Sequence, residues 1–392
     1  MEDNAGNKKR DVIAELTSFL RDHGEQILSG QRKLSLTAIS LCMLNEGFSH
    51  ISDGDFNQSF EVIPTNRTCI PIYQDLQFLY DFVQKVLALK VIHGSCTLQG
   101  SVSVANFRSL QSLDIRKVPL HLVTGIQKLR FQLQTIICTR CLHHIHDLLE
   151  SCGGDQSSPM SWPALTTASV AYNSLQELDT SSRLLPALKM LDLSHNKIRT
   201  TERHLEYLTE LRWISLAFNS LEKMPSFSFS VRNKLDTLIL RNNCLDNLRG
   251  LDELVNLREL DVCSNCLDSH SVLEPLRPLH KLQKLLLIGN PVQYVKDHRK
   301  RSVACVSPVA AKKLILDGKP VTAKELKHCK VSQPMGRPIY ISQATSSQLS
   351  SSVNADPHDI TVESITVDET DSAPLLPSAG MPAGVEDAKS KI

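Results

Sequence analysis

Leucine and asparagine recur through the middle of this chain in one spacing, LxxLxLxxNxL, with apolar residues at positions 1, 4, 6 and 11 and asparagine at position 9. Apolar and polar residues alternate through positions 3 to 7, as Leu191 and Leu193 do around Asp192, and this alternation predicts a short strand with one buried face. Six units begin 22 to 25 residues apart, at Leu165, Leu188, Leu211, Leu235, Leu257 and Leu282. The chain is therefore built from repeated strand-and-turn units.

One such unit cannot bury its apolar face alone, so successive units must stack on one another. The period and the motif are those of a leucine-rich repeat, which predicts an α/β solenoid, a right-handed superhelix whose parallel strands form a concave sheet. Two weaker units begin at Leu110 and Leu133. We therefore predict about eight repeats over residues 96–290, with an insertion near residues 151–163.

The asparagine at position 9 falls inside the turn that follows each strand. Backbone groups in that turn have no regular ladder to join, and buried polar groups need hydrogen-bond partners. An ordinary surface turn explains one asparagine but not six in register. We predict a structural asparagine ladder formed by Asn173, Asn196, Asn219, Asn243, Asn265 and Asn290.

Both ends of an open stack need a cover, because each would otherwise expose the apolar interior. Residues 1–95 are predicted to form a mainly helical N-terminal cap, with one amphipathic helix running from Leu76 to Lys90; a free-standing domain is the alternative. Residues 291–330 are predicted to form a C-terminal cap, a helix from about Val292 to Val306 followed by a strand. The sequence of this cap resembles that of the protein-phosphatase-regulator class of leucine-rich repeats.

Composition limits the class of protein further. The 392 residues carry a net charge of +1, and 11 cysteines, an odd number, are scattered within the repeats rather than flanking them, which favours reduced thiols and a cytoplasmic location. No apolar run approaches the length of a membrane span. Residues 331–392 are acidic and rich in Ser and Thr, which predicts a disordered tail.

Ten Lys or Arg residues against three acidic residues make the stretch from Lys296 to Lys330 strongly basic. A solvated outer face of the cap is the simplest interpretation, and peripheral contact with an anionic membrane or an acidic partner is the alternative. Nucleic acid is disfavoured, because aromatic residues that could stack on bases are only 5% of the chain.

Candidate chemistry is sparse. Cys138 and Cys141 precede three histidines, at 143, 144 and 146, which suggests zinc, but a zinc finger separates its Cys and His pairs by a dozen or so residues. No phosphate-binding glycine loop and no nucleophile or metalloprotease motif appears in the sequence. We predict no catalytic residues, no metal and no cofactor.

A candidate partner-binding site lies on the predicted concave face, where side chains at positions 3, 5 and 7 point outward. Trp213 leads it, because an aromatic residue on a solvent-facing strand is an anchor of the kind found in interface hot spots. We place Met190 and Ile239 at equivalent positions on either side of it. The alternative is that Trp213 is covered by its neighbours or by the N-terminal region. The whole set is Met190, Asp192, Trp213, Ile239, Arg241, Glu259 and Asp261.

The tail carries one short motif, in which Asp371 precedes the dileucine Leu375 and Leu376 by four residues. This is the form read by adaptors that sort proteins to endosomes and lysosomes. Matches of this kind are common by chance in disordered tails. The motif adds endosome or lysosome association to the predicted cytoplasmic location.

The opening MEDNAGNKKRDVIAELTSFLRDHGEQILSG, the repeats LKMLDLSHNKI and LRWISLAFNSL, and the cap LLLIGNPVQYVKDHRKRSVA resemble the N-terminal part of the serine/threonine-protein kinase 11-interacting family. The resemblance covers about residues 1–340, and the opening segment is its specific part. It implies a cytoplasmic protein without enzyme activity that binds a serine/threonine kinase. Members of that family continue far beyond residue 392, so the resemblance implies a truncated or short form.

These observations together predict a non-catalytic scaffold. It docks a protein partner, a serine/threonine kinase by the resemblance, on its concave face and helps to set the location of that kinase. A regulatory or targeting subunit of a phosphatase is one alternative, suggested by the cap. A membrane-recruitment module that acts through the basic stretch is another.

Overall fold

The computed structural model describes residues 2–52, 70–94 and 100–329. The chain divides into a unit of residues 1–335 and a second unit of residues 336–392, and the described residues all lie in the first. The predicted tail over residues 331–392, with Asp371, Leu375 and Leu376, lies outside the described residues.

The described ranges contain short strands separated by turns, 3-10 helices and short α-helices. The strands are β1 Leu34–Thr37, β2 Ala88–Ile92, β3 Val102–Ser103, β4 Ser112–Arg116, β5 Val123–Thr124, β6 Thr135–Thr139, β7 Thr167–Ser169, β8 Met190–Asp192, β9 Trp213–Ser215, β10 Thr237–Ile239, β11 Glu259–Asp261, β12 Lys284–Leu286, β13 Ile315–Leu316 and β14 Lys319–Pro320. The α-helices are α1 Glu2–Leu28, α2 Ala38–Ser52, α3 Ile70–Val83, α4 Ile126–Leu129, α5 Ile145–Leu149, α6 Phe229–Arg232, α7 His298–Cys305, α8 Pro308–Ala311 and α9 Ala323–Leu326. The 3-10 helices are Leu120–Leu122, Gly153–Asp155, Thr180–Leu184, His204–Tyr207, Leu251–Glu253, His270–Leu276 and Pro291–Tyr294.

Twelve of the described strands form one sheet, in the order β1-β2-β4-β6-β7-β8-β9-β10-β11-β12-β13-β14. Every neighbouring pair in it is parallel except β13 and β14. The register places the same repeat position side by side, so that Leu191, Ile214 and Leu238 are neighbours across three strands. This sheet confirms the predicted leucine-rich-repeat solenoid.

The core lies on one side of this sheet, between the strands and the returning turns. Leu211, Ile214 and Leu216, at positions 1, 4 and 6 of one repeat, are all fully buried. Burying a leucine side chain stabilises a fold by about 1.5 to 3 kcal/mol, and the contribution recurs in every repeat. Because one unit cannot enclose its own apolar residues, those of adjacent repeats pack together and form a single continuous cluster.

The N-terminal region contains two strands that the sequence reasoning missed. The predicted helix from Leu76 to Lys90 is wrong beyond Val83, where α3 ends, because the chain continues into strand β2. Leu89 pairs with Leu113, which stands at position 4 of the first predicted repeat. The segment around β2 therefore has the strand of a repeat but lacks its asparagine. Strand β1 then pairs with β2 and extends the sheet by one more strand.

The C-terminal cap also departs from the expected single helix over residues 292–306. A 3-10 helix over Pro291–Tyr294 comes first, and α7 begins only at His298 because Asp297 adopts a left-handed backbone with φ of 58°. Strand β13 then pairs with β12. Arg299 fixes the last helix, since its Nε donates to Glu325 Oε1 at 2.8 Å.

The insertion over residues 151–163 is packed rather than loose. Trp162 and Cys152 are fully buried, and Arg130 lies between them at 1% exposure. The Arg130 guanidinium donates to Cys152 Sγ and to Ser157 Oγ, both at 2.7 Å, and lies 5.5 Å from the centre of the Trp162 ring. Among the helices of the described ranges, none has the length and apolar content needed to cross a membrane.

Candidate partner-binding surface

Each predicted ladder asparagine bonds its own turn and the preceding repeat. Asn243 is representative: its Nδ2 donates to the carbonyls of Leu240 in its own repeat and Leu216 in the preceding one, and its Oδ1 accepts the amide of Leu221, each at 2.9 Å. The same pattern recurs at Asn173, Asn196, Asn219, Asn265 and Asn290. At the C-terminal end the Asp317 side chain replaces a different acceptor: its Oδ1 accepts the amide of Leu287 at 2.7 Å, whereas the equivalent amide of Leu240 donates to the backbone carbonyl of Asp261.

The ladder holds adjacent repeats in register and thereby fixes the outward rows of side chains. Met190 pairs with Trp213, and Trp213 pairs with Thr237. The predicted equivalence of Ile239 with Trp213 is therefore wrong: Ile239 stands at position 5 and pairs with Ser215. Met190 is exposed and Trp213 is partly exposed, so the position 3 row still presents two large apolar side chains side by side.

Two of the predicted surface carboxylates accept hydrogen bonds from backbone amides two residues further along the chain. Asp261 Oδ1 accepts the amide of Cys263 at 3.0 Å, and Asp192 Oδ1 accepts the amide of Ser194 at the same distance. Asp261 is only 6% exposed, because the guanidinium of Arg241 lies over it with Nε 3.6 Å from Oδ2. The prediction that Asp261 is displayed on the surface is wrong. Its carboxylate closes the turn after the strand instead.

The remaining predicted charges form neighbouring pairs across strands. Glu259 Oε1 lies 2.5 Å from the ammonium of Lys284 on β12, and the Glu259 side chain stays 29% exposed. The Arg241 side chain, opposite Asp261, is 45% exposed. Surface pairs of this kind contribute little to stability, so both residues remain available to a partner.

Position 8 of each repeat carries a second outward row that the sequence reasoning missed. Its residues adopt left-handed backbone conformations, which ordinary side chains enter at a cost of about 1 to 2 kcal/mol. Each conformation is imposed by the turn, as in Phe218, whose amide donates to the Arg241 carbonyl at 2.9 Å. The row consists of Lys117, Arg140, Tyr172, His195, Phe218, Asn242, Ser264 and Gly289, with φ between 52° and 82°.

Three successive members of this row are aromatic and stack on one another; we call Tyr172, His195 and Phe218 the aromatic row. The ring centres are 4.0 Å apart between Tyr172 and His195 and 4.1 Å between His195 and Phe218, with planes within 10° of parallel. Arg140 covers the outer face of Tyr172 at 5.9 Å. Tyr172 is 45% exposed and Phe218 is 40% exposed, so the ring edges face solvent.

The centre of the aromatic row is an uncharged ring near neutral pH. Burial between its neighbours lowers the pKa of His195, against a smaller opposing effect of the Asp192 carboxylate. The surface therefore combines three uncharged aromatic rings with the Arg140 cation at one end. The turn imposes the left-handed conformation on every member of the row, so the distinguishing feature of Tyr172, His195 and Phe218 is three adjacent aromatic rings with edges exposed to water.

The cysteines and histidines near residue 140 point in different directions. Cys138 and Cys141 are buried in the repeat, and the hydrogen bond with the Cys141 thiol, followed by burial, raises the pKa of Cys138. His144 and His146 lie outside, stacked at 5.1 Å, and His146 Nδ1 is 3.3 Å from Asp179 Oδ2. Across the described residues no group of three His, Cys, Asp or Glu side chains is placed to hold a metal ion. None of the nine cysteines in those residues forms a disulfide bond.

Two family models match this chain, one in the N-terminal region and one in the repeats. Residues 7–95 match the model of the family described as LKB1 serine/threonine kinase interacting protein 1, and residues 163–221 match the model of the leucine-rich repeat. The chain is a relative of the kinase-interacting leucine-rich-repeat proteins. This confirms the resemblance seen in its opening segment, its repeats and its cap.

Two curated relatives extend the match across both regions. The serine/threonine-protein kinase 11-interacting protein of Gallus gallus is 38% identical over 320 residues, which are 81% of this chain and 30% of that protein. The Homo sapiens protein of the same name is 38% identical over 336 residues, which are 84% of this chain and 31% of that protein. The chain thus spans about a third of the length of these relatives.

Among solved structures, an internalin from Listeria monocytogenes aligns over 60% of this chain and 81% of its own, with a TM-score of 0.38 and 17% identity. The fold assignment depends instead on the sheet and on the repeat model.

Proposed function

We propose that this chain is a non-catalytic scaffold that binds a serine/threonine kinase. The relatives are named for interaction with serine/threonine-protein kinase 11. The repeat fold presents outward rows of side chains that a protein partner can contact. The observation that carries the proposal is the aromatic row, exposed and held in a left-handed conformation. Binding is proposed to place the kinase at the location of the scaffold.

Two neighbouring features complete the proposed surface. Met190 and Trp213 add apolar area on the position 3 row, while Arg140 and Arg241 add cations that suit an acidic rim on the partner. Large aromatic residues surrounded by polar ones are where alanine scanning finds most of the binding energy.

The test uses substitutions that suit the backbone. Asparagine tolerates the left-handed region and already occupies the same row at Asn242, so Tyr172→Asn and Phe218→Asn remove the rings and leave the turn intact. In a binding assay with purified serine/threonine-protein kinase 11, we expect each variant to weaken the Kd by about thirtyfold, which corresponds to a hot-spot loss of about 2 kcal/mol.

Phe229→Ala is the matched control, because Phe229 lies on α6 at 78% exposure and outside both rows. Its Kd should equal that of the unmodified chain, and the thermal midpoints of all three variants should stay close to the parent value. Equal binding by Phe218→Asn and the parent would overturn the proposed surface. Failure of the unmodified chain to bind the kinase would overturn the proposed partner.

For location, we propose the cytoplasm, with endosome or lysosome association through Asp371, Leu375 and Leu376. These tail residues lie outside the described ranges, so the support is the motif alone. Comparing a fluorescent fusion of the chain with its Leu375→Ala/Leu376→Ala variant tests this. Identical distributions of the two would remove the dileucine from the proposal.

A further inference from the structure

A basic cleft opens where the last repeats meet the C-terminal cap. Its volume is about 280 Å³, close to the lower limit for small-ligand sites. The cleft is lined by Arg258, His280, Lys281, Leu282, Gln283, Val309, Ala310 and Lys313. We infer that it binds a phosphate monoester, carried either by a soluble inositol phosphate or by the headgroup of a phosphoinositide lipid.

Charge is the first support for this site. Three permanent cations, Arg258, Lys281 and Lys313, face one small volume. Asp236 Oδ1 lies 3.6 Å from Arg258 Nε, and within the described part of the chain no carboxylate lies within 4.0 Å of either lysine ammonium. Two positive charges are therefore in excess. A phosphate dianion supplies two negative charges and three acceptor oxygens, which match this excess.

The second support is the backbone, because hydrogen bonds fix the positions of the chain segments that carry the three cations. The amide of Gln283 donates to the carbonyl of Arg258, and the amide of Ile315 donates to the carbonyl of Gln283, both at 2.8 Å. The segments that carry the three cations are thus consecutive members of one hydrogen-bonded sheet. A site on rigid neighbouring elements loses little entropy when a ligand binds.

The walls of the cleft add two further features. His280 is oriented by Ser307, whose Oγ lies 2.6 Å from His280 Nδ1. Leu282 and Ala310 form a buried apolar floor, while Val309 is 63% exposed at the rim. An arginine fork offers paired donors to phosphate oxygens and the lysines offer point charges, so the set suits a phosphate group better than a carboxylate.

The experiment compares the full chain with Lys281→Ala/Lys313→Ala, which removes two exposed cations that have no ion-pair partner among the described residues. Lys197→Ala/Lys223→Ala is the control, because it removes the same charge from exposed sites elsewhere in the repeats. Isothermal titration calorimetry uses inositol trisphosphate as the soluble probe. We expect the cleft variant to weaken the Kd at least about tenfold and the control variant to leave it unchanged.

A second arm identifies the source of the phosphate. Flotation is measured with phosphatidylcholine vesicles that contain phosphatidylinositol bisphosphate. The control vesicles have the same total negative charge, supplied by phosphatidylserine. Binding to the inositol lipid alone, lost in the cleft variant, supports a lipid headgroup; binding of inositol trisphosphate without vesicle binding supports a soluble ligand. No binding in either arm, or an equal loss in the control variant, would overturn the site.

Discussion

The asparagine ladder makes a quantitative prediction at Asn243. Alanine at this position removes three hydrogen bonds of 2.9 Å and leaves the carbonyls of Leu216 and Leu240 and the amide of Leu221 without that partner in a buried turn. A net hydrogen bond contributes about 1 kcal/mol, and an unsatisfied buried group costs about 1 to 3 kcal/mol. We therefore expect Asn243→Ala to lower the free energy of unfolding by about 3 to 5 kcal/mol.

Urea unfolding followed by circular dichroism measures this loss, and hydrogen exchange locates it. The amide of Leu221 should exchange faster in the variant, whereas the amide of Leu245, which donates to Asn265 at 3.1 Å, should change less. Asn243→Asp keeps the acceptor but loses both donors and adds a charge, so it should be at least as destabilising as alanine.

Asn233→Ala is the matched control for this series. Asn233 is exposed and makes one bond, from Nδ2 to the Phe229 carbonyl at 3.3 Å, so its loss should stay within about 0.5 kcal/mol. Similar unfolding curves for Asn243→Ala and Asn233→Ala would refute the claim that the ladder stabilises the turns.

Two further predictions concern titratable groups. The bond from Arg299 lowers the pKa of Glu325 to about 2 from an ordinary value of 4.5, so the stabilisation that Glu325 provides should be complete above about pH 4.5 and decline as the pH falls towards 2. The difference in thermal midpoint between the parent and Glu325→Gln should shrink over that range, and a constant difference would contradict the assignment. Burial, aided by the Asp261 carboxylate, raises the pKa of Cys263 to about 12, so iodoacetamide at pH 8 should label the exposed Cys244 and Cys266 well before Cys263. Peptide mass spectrometry measures the order, and equal labelling rates would count against it.

The periodic residues predicted the strands well because their positions decide burial directly. A leucine at position 4 or 6 must face the core, and the stacking of repeats then fixes the sheet. Strand β2 escaped prediction because it begins five residues after α3 ends at Val83, and its apolar residues continue the helical spacing of α3. The alignment of Trp213 with Thr237 was already present in the spacing, since both residues stand at position 3.

The candidate surface was less predictable because it depends on neighbouring repeats. The burial of Asp261 requires Arg241, which comes from the preceding repeat, and no pattern within one unit reports that contact. The aromatic row occupies position 8, where the motif accepts any residue, so the motif did not single out the residues at that position. A signal did exist, because Tyr172, His195 and Phe218 share that position in three successive units.

The two N-terminal strands change how binding regions can be mapped in this protein. Residues 7–95 match the kinase-interacting family model, yet β1 and β2 within them are the first strands of the sheet that runs through the repeats. A fragment that begins after β2 would leave the edge of β4 and the apolar residues beneath it uncovered. Loss of kinase binding in such a fragment would then measure misfolding and aggregation. Point substitutions at exposed residues avoid this problem and can show which residues contribute to kinase binding.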